Sequence, residues 1–177
     1  MAVFFTSDTH FGHEAIIRLA GRPFGSVEEM DAALIARWNE TVAPDDTVYH
    51  LGDVCFRNSR STADYVGALN GTIHLIRGNH DDALSDAEAN ALFASVSLIS
   101  ELRIGRQMIV LCQYPMREWN QCKRGSWQLF GHVHGRLNHA PLGWSLDVGV
   151  ESHDFRPWSY AEIEAVFAKR DNPFLEA

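Results

Sequence analysis

Gly78-Asn79-His80-Asp81 closes the apolar run Ile73-His74-Leu75-Ile76, and its reading decides how the rest of the chain is understood. The run has the length and composition of a buried strand, so the tetrapeptide is the loop into which that strand empties. Gly78 frees the backbone, Asn79 offers a neutral amide oxygen suited to a metal ion, and His80 can move a proton near neutral pH. Asp81 is expected to hold the imidazole of His80 in place. Asn, His and Asp are also ordinary turn-formers, so the tetrapeptide gains meaning only from what recurs elsewhere.

The same form does recur. A short β-type run over 2–7 stops at Asp8-Thr9-His10-Phe11-Gly12-His13, a second over 47–51 stops at Gly52-Asp53, and Gln128-Leu129-Phe130 leads into Gly131-His132-Val133-His134. Between them, a short helix is expected over 14–20, ended by Gly21 and Pro23. Ser26-Val27-Glu28-Glu29 has the form of a capping box, with Val27, Met30, Leu34 and Trp38 following at helical spacing. Further helices are expected over 61–69, 86–93 and 159–169. Residues 96–104 and 107–112 read as two strands turning at Gly105, and 144–150 as one more.

Strand and helix alternate in the first half and strands dominate the second. This predicts an α/β fold of two sheets with helices outside them. No repeat, low-complexity segment or linker divides the sequence, so 1–177 is expected to be a single domain. In open α/β sheets the ligand crevice lies beyond the carboxyl ends of the strands, so the loops carrying Asp8, Asp53 and Asn79 should meet there.

The totals narrow the function. At 46% hydrophobic and 21% charged residues, the chain has an ordinary globular composition. No apolar run approaches a membrane span and the first residues lack the features of a leader, so the expected location is cytoplasmic. Cys55, Cys112 and Cys122 form no CxxC pair, which excludes a disulfide framework and a thiolate zinc site as expectations. A formal charge of −8 argues against extended, charge-driven binding along nucleic acid. It is compatible with phosphate chemistry, because carboxylates that hold divalent cations add to the negative count.

Taken in order, Asp8-x-His10, Gly52-Asp53, Gly78-Asn79-His80-Asp81 and Gly131-His132-x-His134 resemble the motifs of the calcineurin-like metallophosphoesterase superfamily. The likeness runs from Asp8 to His134 and on to Asp147-Val148-Gly149. It implies an αββα sandwich of two sheets and a dinuclear centre. Asp53 would bridge the two metals, Asp8, His10 and His134 would complete one site, and Asn79 and His132 would belong to the other. Two divalent cations, with Mn best suited and Fe, Zn, Co or Ni possible for such mixed donors, would activate a bridging hydroxide for in-line attack on phosphorus. His80 would protonate the leaving-group oxygen, with Asp81 behind it.

The chain departs from the family pattern at Leu111-Cys112-Gln113-Tyr114-Pro115, where a histidine ligand of the second metal is replaced by Gln113. An amide oxygen binds borderline metals less well than imidazole, which puts the second site in question. His13, Arg57 and Arg117 are candidate substrate contacts, and Asn58 and Trp119 could line a pocket with them. His50 and His74, inside apolar runs, read as hydrogen-bonded core histidines. The expected activity is hydrolysis of a small phosphodiester or nucleotide-like ester, ahead of a monoester. The alternative is a scaffold that keeps the fold and loses turnover through Gln113.

Overall fold

The computed structural model describes residues 1–56 and 60–175, and Arg57 and Asn58 lie outside that range. In chain order the elements are β1 (Val3–Thr6), α1 (Glu14–Leu19), α2 (Val27–Thr41), β2 (Thr47–His50), α3 (Thr62–Val66), β3 (Thr72–Ile76), α4 (Asp86–Leu92) and β4 (Ser95–Ser97). They continue with β5 (Ile99–Ile104), β6 (Gln107–Cys112), β7 (Trp127–Phe130), β8 (Ser145–Asp147), β9 (Trp158–Ser159) and α5 (Tyr160–Phe167).

The strands form two sheets, ordered β4-β3-β2-β1-β9 and β5-β6-β7-β8. In the first, β1 to β4 are parallel and β9 closes the edge antiparallel to β1. In the second, β5 and β6 form an antiparallel hairpin while β6, β7 and β8 are parallel. The carboxyl ends of β1, β2, β3, β6, β7 and β8 are followed by Ser7-Asp8, Leu51-Gly52-Asp53, Arg77-Gly78, Gln113, Gly131 and Val148. A parallel bridge between Ser7 and Gly149 joins the sheets at that edge.

Side chains that alternate along each strand decide which layer they serve. Phe4, Val48, Ile73 and Leu75 pack with Met30, Leu34, Trp38 and Tyr65 under the helices. Phe5, Leu51 and Ile76 point the other way and meet Ile109, Leu111, Leu129 and Leu146, which makes the inter-sheet core. Ile163 and Phe167 of α5 close that core at its side, with the Phe167 ring 5.0 Å from Trp127. Each fully buried Phe, Leu or Ile contributes roughly 1.5–3 kcal/mol over an exposed one. Outside the second sheet the cover is thin, with Val110 under Trp119, Cys122 and Phe174.

Local signals explain most of the boundaries. Ser61, Ser85 and Ser159 start α3, α4 and α5 with complete capping boxes to Asp64, Glu88 and Glu162. At α2 the box is half made: Ser26 accepts from the Glu29 amide, but the Glu29 carboxylate turns back to the Gly25 amide at 2.7 Å.

Several expectations need correction. Residues 96–104 are not one strand, because the chain leaves the first sheet after Ser97 and enters the second at Ile99. Residues 144–150 shorten to β8, since Val150 begins a tight turn over Val150–Ser152. His74 is half-buried, stacked on Tyr49 and bonded to Ser95, so it belongs to a partly open face rather than the core. Among the described residues no helix is long and apolar enough to cross a membrane.

Candidate metal centre

The loops after β1 and β2 are laced by backbone before any functional side chain is considered. Asp8 N donates to Gly52 O and His10 N to Asp53 O, both at 3.0 Å, while Phe11 N donates to Val54 O at 2.9 Å. Gly52 and Gly78 let these loops touch, because a Cβ on Gly52 would overlap the Gln113 amide oxygen and the Gly78 nitrogen. Of the eight non-glycine residues with positive φ among those described, five are Asp8, His10, Asp53, His132 and His134. Side chains in this left-handed region carry strain of order 1–3 kcal/mol each, less for Asp and His than for branched residues. Strain concentrated on the sequence-predicted donors is a mark of a site held by its surroundings.

Three of those donors, Asp8, His10 and His134, present ligand atoms all within 4.8 Å of one another. His10 Nε2 lies 3.9 Å from Asp8 Oδ1 and 3.7 Å from Asp53 Oδ2. Both ring nitrogens of His10 are buried without a hydrogen-bond partner. Asp8 Oδ2 accepts from the His132 amide at 2.8 Å, and Asp8 Oδ1 from the Gln113 side-chain amide at 3.1 Å. Gln113 is buried, and its Oε1 has no partner. Asp53 Oδ1 accepts from the His80 amide at 2.8 Å.

Behind these donors stands a set of residues that the sequence reading missed. Glu151 Oε1 lies 2.9 Å from His134 Nδ1 and accepts from Arg22 Nε and Nη2 at 2.8 and 2.7 Å. A carboxylate on Nδ1 fixes the ring and directs Nε2 elsewhere, as carboxylates behind metal-bound imidazoles do. Arg22, itself buried, also donates to Asp8 O and Thr9 O. Asp147 accepts from the amides of Gly135 and Gly149, which anchors the turn after His134. Only Asp147 had a sequence signal, its place on the closing strand. Glu151 and Arg22 are ordinary surface-type residues until the fold buries them.

Asp81 requires a correction. Its Oδ2 accepts from the amides of Asp53 and Gly78 at 2.9 and 2.8 Å, and its Oδ1 from Val54 at 3.0 Å. The carboxylate is 2% exposed and makes no hydrogen bond to the His80 ring. Three parallel amides are a better match for a buried carboxylate than one exposed imidazole, so Asp81 ties two loops together and does not back His80.

Electrostatics favour a cation here. Burial pushes the Asp8 carboxyl up to about 8, with His134 pulling it down and Asp147, Asp53 and Glu151 repelling it upward. Burial likewise raises Asp53 against the His80 amide that lowers it. His10 is driven down to about 2, first by burial and then by Arg22 and the neighbouring His134, His13 and His80. Burial disfavours a protonated His134, but the hydrogen bond and charge of Glu151 outweigh it and leave that ring raised. A neutral imidazole with bare nitrogens between two crowded carboxylates lacks positive charge, and this oxygen and nitrogen set fits a borderline divalent ion.

The remaining sequence-predicted residues divide. His10, His13, Asp53, His80, His132 and His134 line a cleft of about 470 Å³, joined by Arg136, which the sequence reading passed over. Asn79 sits on the exposed turn between Gly78 and His80. His13 both precedes α1 and enters the cleft, its ring stacked 4.0 Å from Phe56. Arg117 does not line this cleft; it is exposed and borders a separate cavity with Met116, Phe130 and Leu137. Trp119 is no pocket wall either, since its ring is buried beneath the second sheet and its Nε1 donates to Ser126 O.

The sequence model described as calcineurin-like phosphoesterase matches residues 1–110. An uncharacterized protein of Methanocaldococcus jannaschii is 44% identical over 176 residues, taking in 94% of this chain and 92% of that protein. The gene 66 protein of Mycobacterium phage L5 is 28% identical over 161 residues, 75% of this chain and 77% of the phage protein. A solved structure of a protein of unknown function from Aquifex aeolicus superposes with a TM-score of 0.74 at 24% identity, covering 93% of this chain and 98% of that one. That last likeness is one of fold.

Proposed function

The chain belongs to the calcineurin-like phosphoesterase family of metal-dependent phosphate-ester hydrolases, and from that premise we propose that it hydrolyses small, nucleotide-like phosphodiesters at a two-metal centre, with 1–177 working as one catalytic domain. Asp8, His10, Asp53 and His134 would hold one divalent ion. Asp53, Asn79, His132 and the Gln113 amide oxygen would hold a second, weaker one. The observation that carries this reading is the buried His10 ring, unpartnered at both nitrogens and within 4 Å of the Asp8 and Asp53 carboxylates. Bound there, divalent ions such as Mn, or Fe, Zn, Co or Ni, would supply Lewis acidity and a water of lowered pKa.

The chain's own residues supply the rest. Glu151 holds His134 in the tautomer that presents Nε2, and that hydrogen bond, together with the charge of Arg22 behind it, keeps Glu151 ionised against its burial. His80, exposed at the cleft, gives a proton to the departing oxygen. Arg136 and His13, from opposite loops, orient the phosphate oxygens. Gln113 donates to Asp8 and so positions the first site even where its oxygen binds metal weakly. Gln113 is also the one observation that favours a scaffold without turnover.

The test is to strip the protein with a chelator and titrate Mn while counting bound ions. Hydrolysis of bis(4-nitrophenyl) phosphate and 4-nitrophenyl phosphate is then measured for the native chain and Gln113→His. The expected result is one tight and one weak Mn in the native chain, faster diester than monoester turnover, and tighter second-site binding in Gln113→His. Mn-loaded protein in which neither form hydrolyses either ester would favour the scaffold.

A further inference from the structure

A second cavity of about 520 Å³ opens on the far side of His80, between the start of α3 and the exposed face of α4. His80 lines this cavity and the metal cleft alike. An ester whose phosphorus sits in the cleft and whose departing oxygen meets His80 has its alcohol portion at the mouth of this second space. We propose that the cavity receives that portion, and that it is an uncharged aromatic ring system, whether a nucleobase or an aryl group. This rests on the phosphoesterase reading above.

The walls argue for an apolar ring. Ala63, Ala83, Leu84, Ala91 and Leu92 give an aliphatic lining, and the volume lies within the roughly 300–1,000 Å³ of sites for drug-sized ligands. Among the described residues, several polar groups along it are already engaged. Ser61 and Glu88 are closed in their capping boxes, and both oxygens of Asp81 are taken by main-chain amides. Arg60 lies over the Tyr65 ring and donates to Asp64 O. Burial pushes the Cys55 thiol up to about 12, so that wall is chemically inert. A polyhydroxyl or anionic group would exchange water for few partners here, whereas a flat ring would lose nothing and bury area.

Phe56 supplies the aromatic surface at the entrance. It is 39% exposed, stacked on His13 at 11° and edge-on to His80 with centroids 5.7 Å apart. A ring held between two neighbours presents its remaining area already ordered, which suits offset stacking with an incoming ring.

The proposal is tested by calorimetric titration of 1-naphthol and of adenosine into the Mn-loaded full chain and its Ala91→Trp and Ala83→Trp variants. Both alanines are exposed, so a tryptophan there fills the cavity without entering the core. At least one probe should bind the native chain, and at least tenfold weaker binding is expected in one or both variants at an unchanged Mn count. The two probes separate an aryl preference from a nucleobase one. No binding of either probe to the native chain, or equal binding in both variants, overturns the proposal. Variant-sensitive binding in a protein that hydrolyses no ester would sink the phosphoesterase reading and leave the pocket standing. Hydrolysis without variant-sensitive binding would do the reverse.

Discussion

Replacing Asp81 by asparagine separates two roles for one carboxylate. In the structure its two oxygens accept from three buried amides, those of Asp53, Val54 and Gly78, at 2.8–3.0 Å. Asparagine has the same shape but one carbonyl oxygen. However the amide is turned, its NH₂ faces at least one main-chain N–H. A stranded buried donor costs about 1–3 kcal/mol, and the surviving bonds lose their charge assistance, worth roughly another 0.5–1 kcal/mol each. Burial pushes the Asp81 carboxyl up, so removing the charge returns part of this. A net destabilisation of about 2–4 kcal/mol is expected. Urea unfolding of the metal-free chain, followed by tryptophan fluorescence, measures it, and hydrogen exchange at Asp53, Val54 and Gly78 should accelerate together. A loss below about 0.5 kcal/mol, accompanied by an altered pH–rate profile, would instead return Asp81 to the imidazole of His80 and refute the loop-tying argument.

Glu151→Gln keeps the shape behind His134 but removes the charge that fixes its ring, so Mn affinity should fall about 10–100-fold in competition with a chelating dye. Unchanged affinity would mean that the ring is held by packing alone. His50 is fully buried, its Nε2 shared with Thr9, and burial drives its pKa from 6.5 down to about 3. The unfolded chain therefore binds the extra proton between those values, and stability falls as pH drops through that window by up to about 1.4 kcal/mol per unit. Between pH 7.5 and 5, His50→Leu should lose about 2 kcal/mol less stability than the native chain in paired urea titrations. Parallel losses in the two proteins would contradict this.

The sequence makes legible what repeats and what has a period. Short β-type runs ending in Asp, His or Gly mark β1, β2, β3 and β7, and helical spacing with a serine cap marks α2 and α5. The candidate donors, Asp8, His10, Asp53, His132 and His134, stand out in the sequence because each follows a strand end. What could not be read depends on three-dimensional neighbours. Residues 96–104 look continuous because nothing local marks Leu98 as the point where the chain passes between sheets. The two-residue β9 exists only because β1 offers an edge. Arg22 and Glu151 are 129 positions apart and reveal themselves only in contact. The sequence pairs Asp81 with its neighbour His80, whereas the amides that hold it come chiefly from 27 and 28 residues away.

The bridge between Ser7 and Gly149 also makes the candidate centre a property of the seam between the two sheets. Asp8, His10 and Asp53 follow strands of the first sheet, whereas His134 follows β7 of the second. A partly folded chain with its sheets apart would leave the carboxylates on one side and that imidazole on the other. Metal capture would therefore report on the docking of the two layers, and loosening the seam should weaken it before either sheet unfolds.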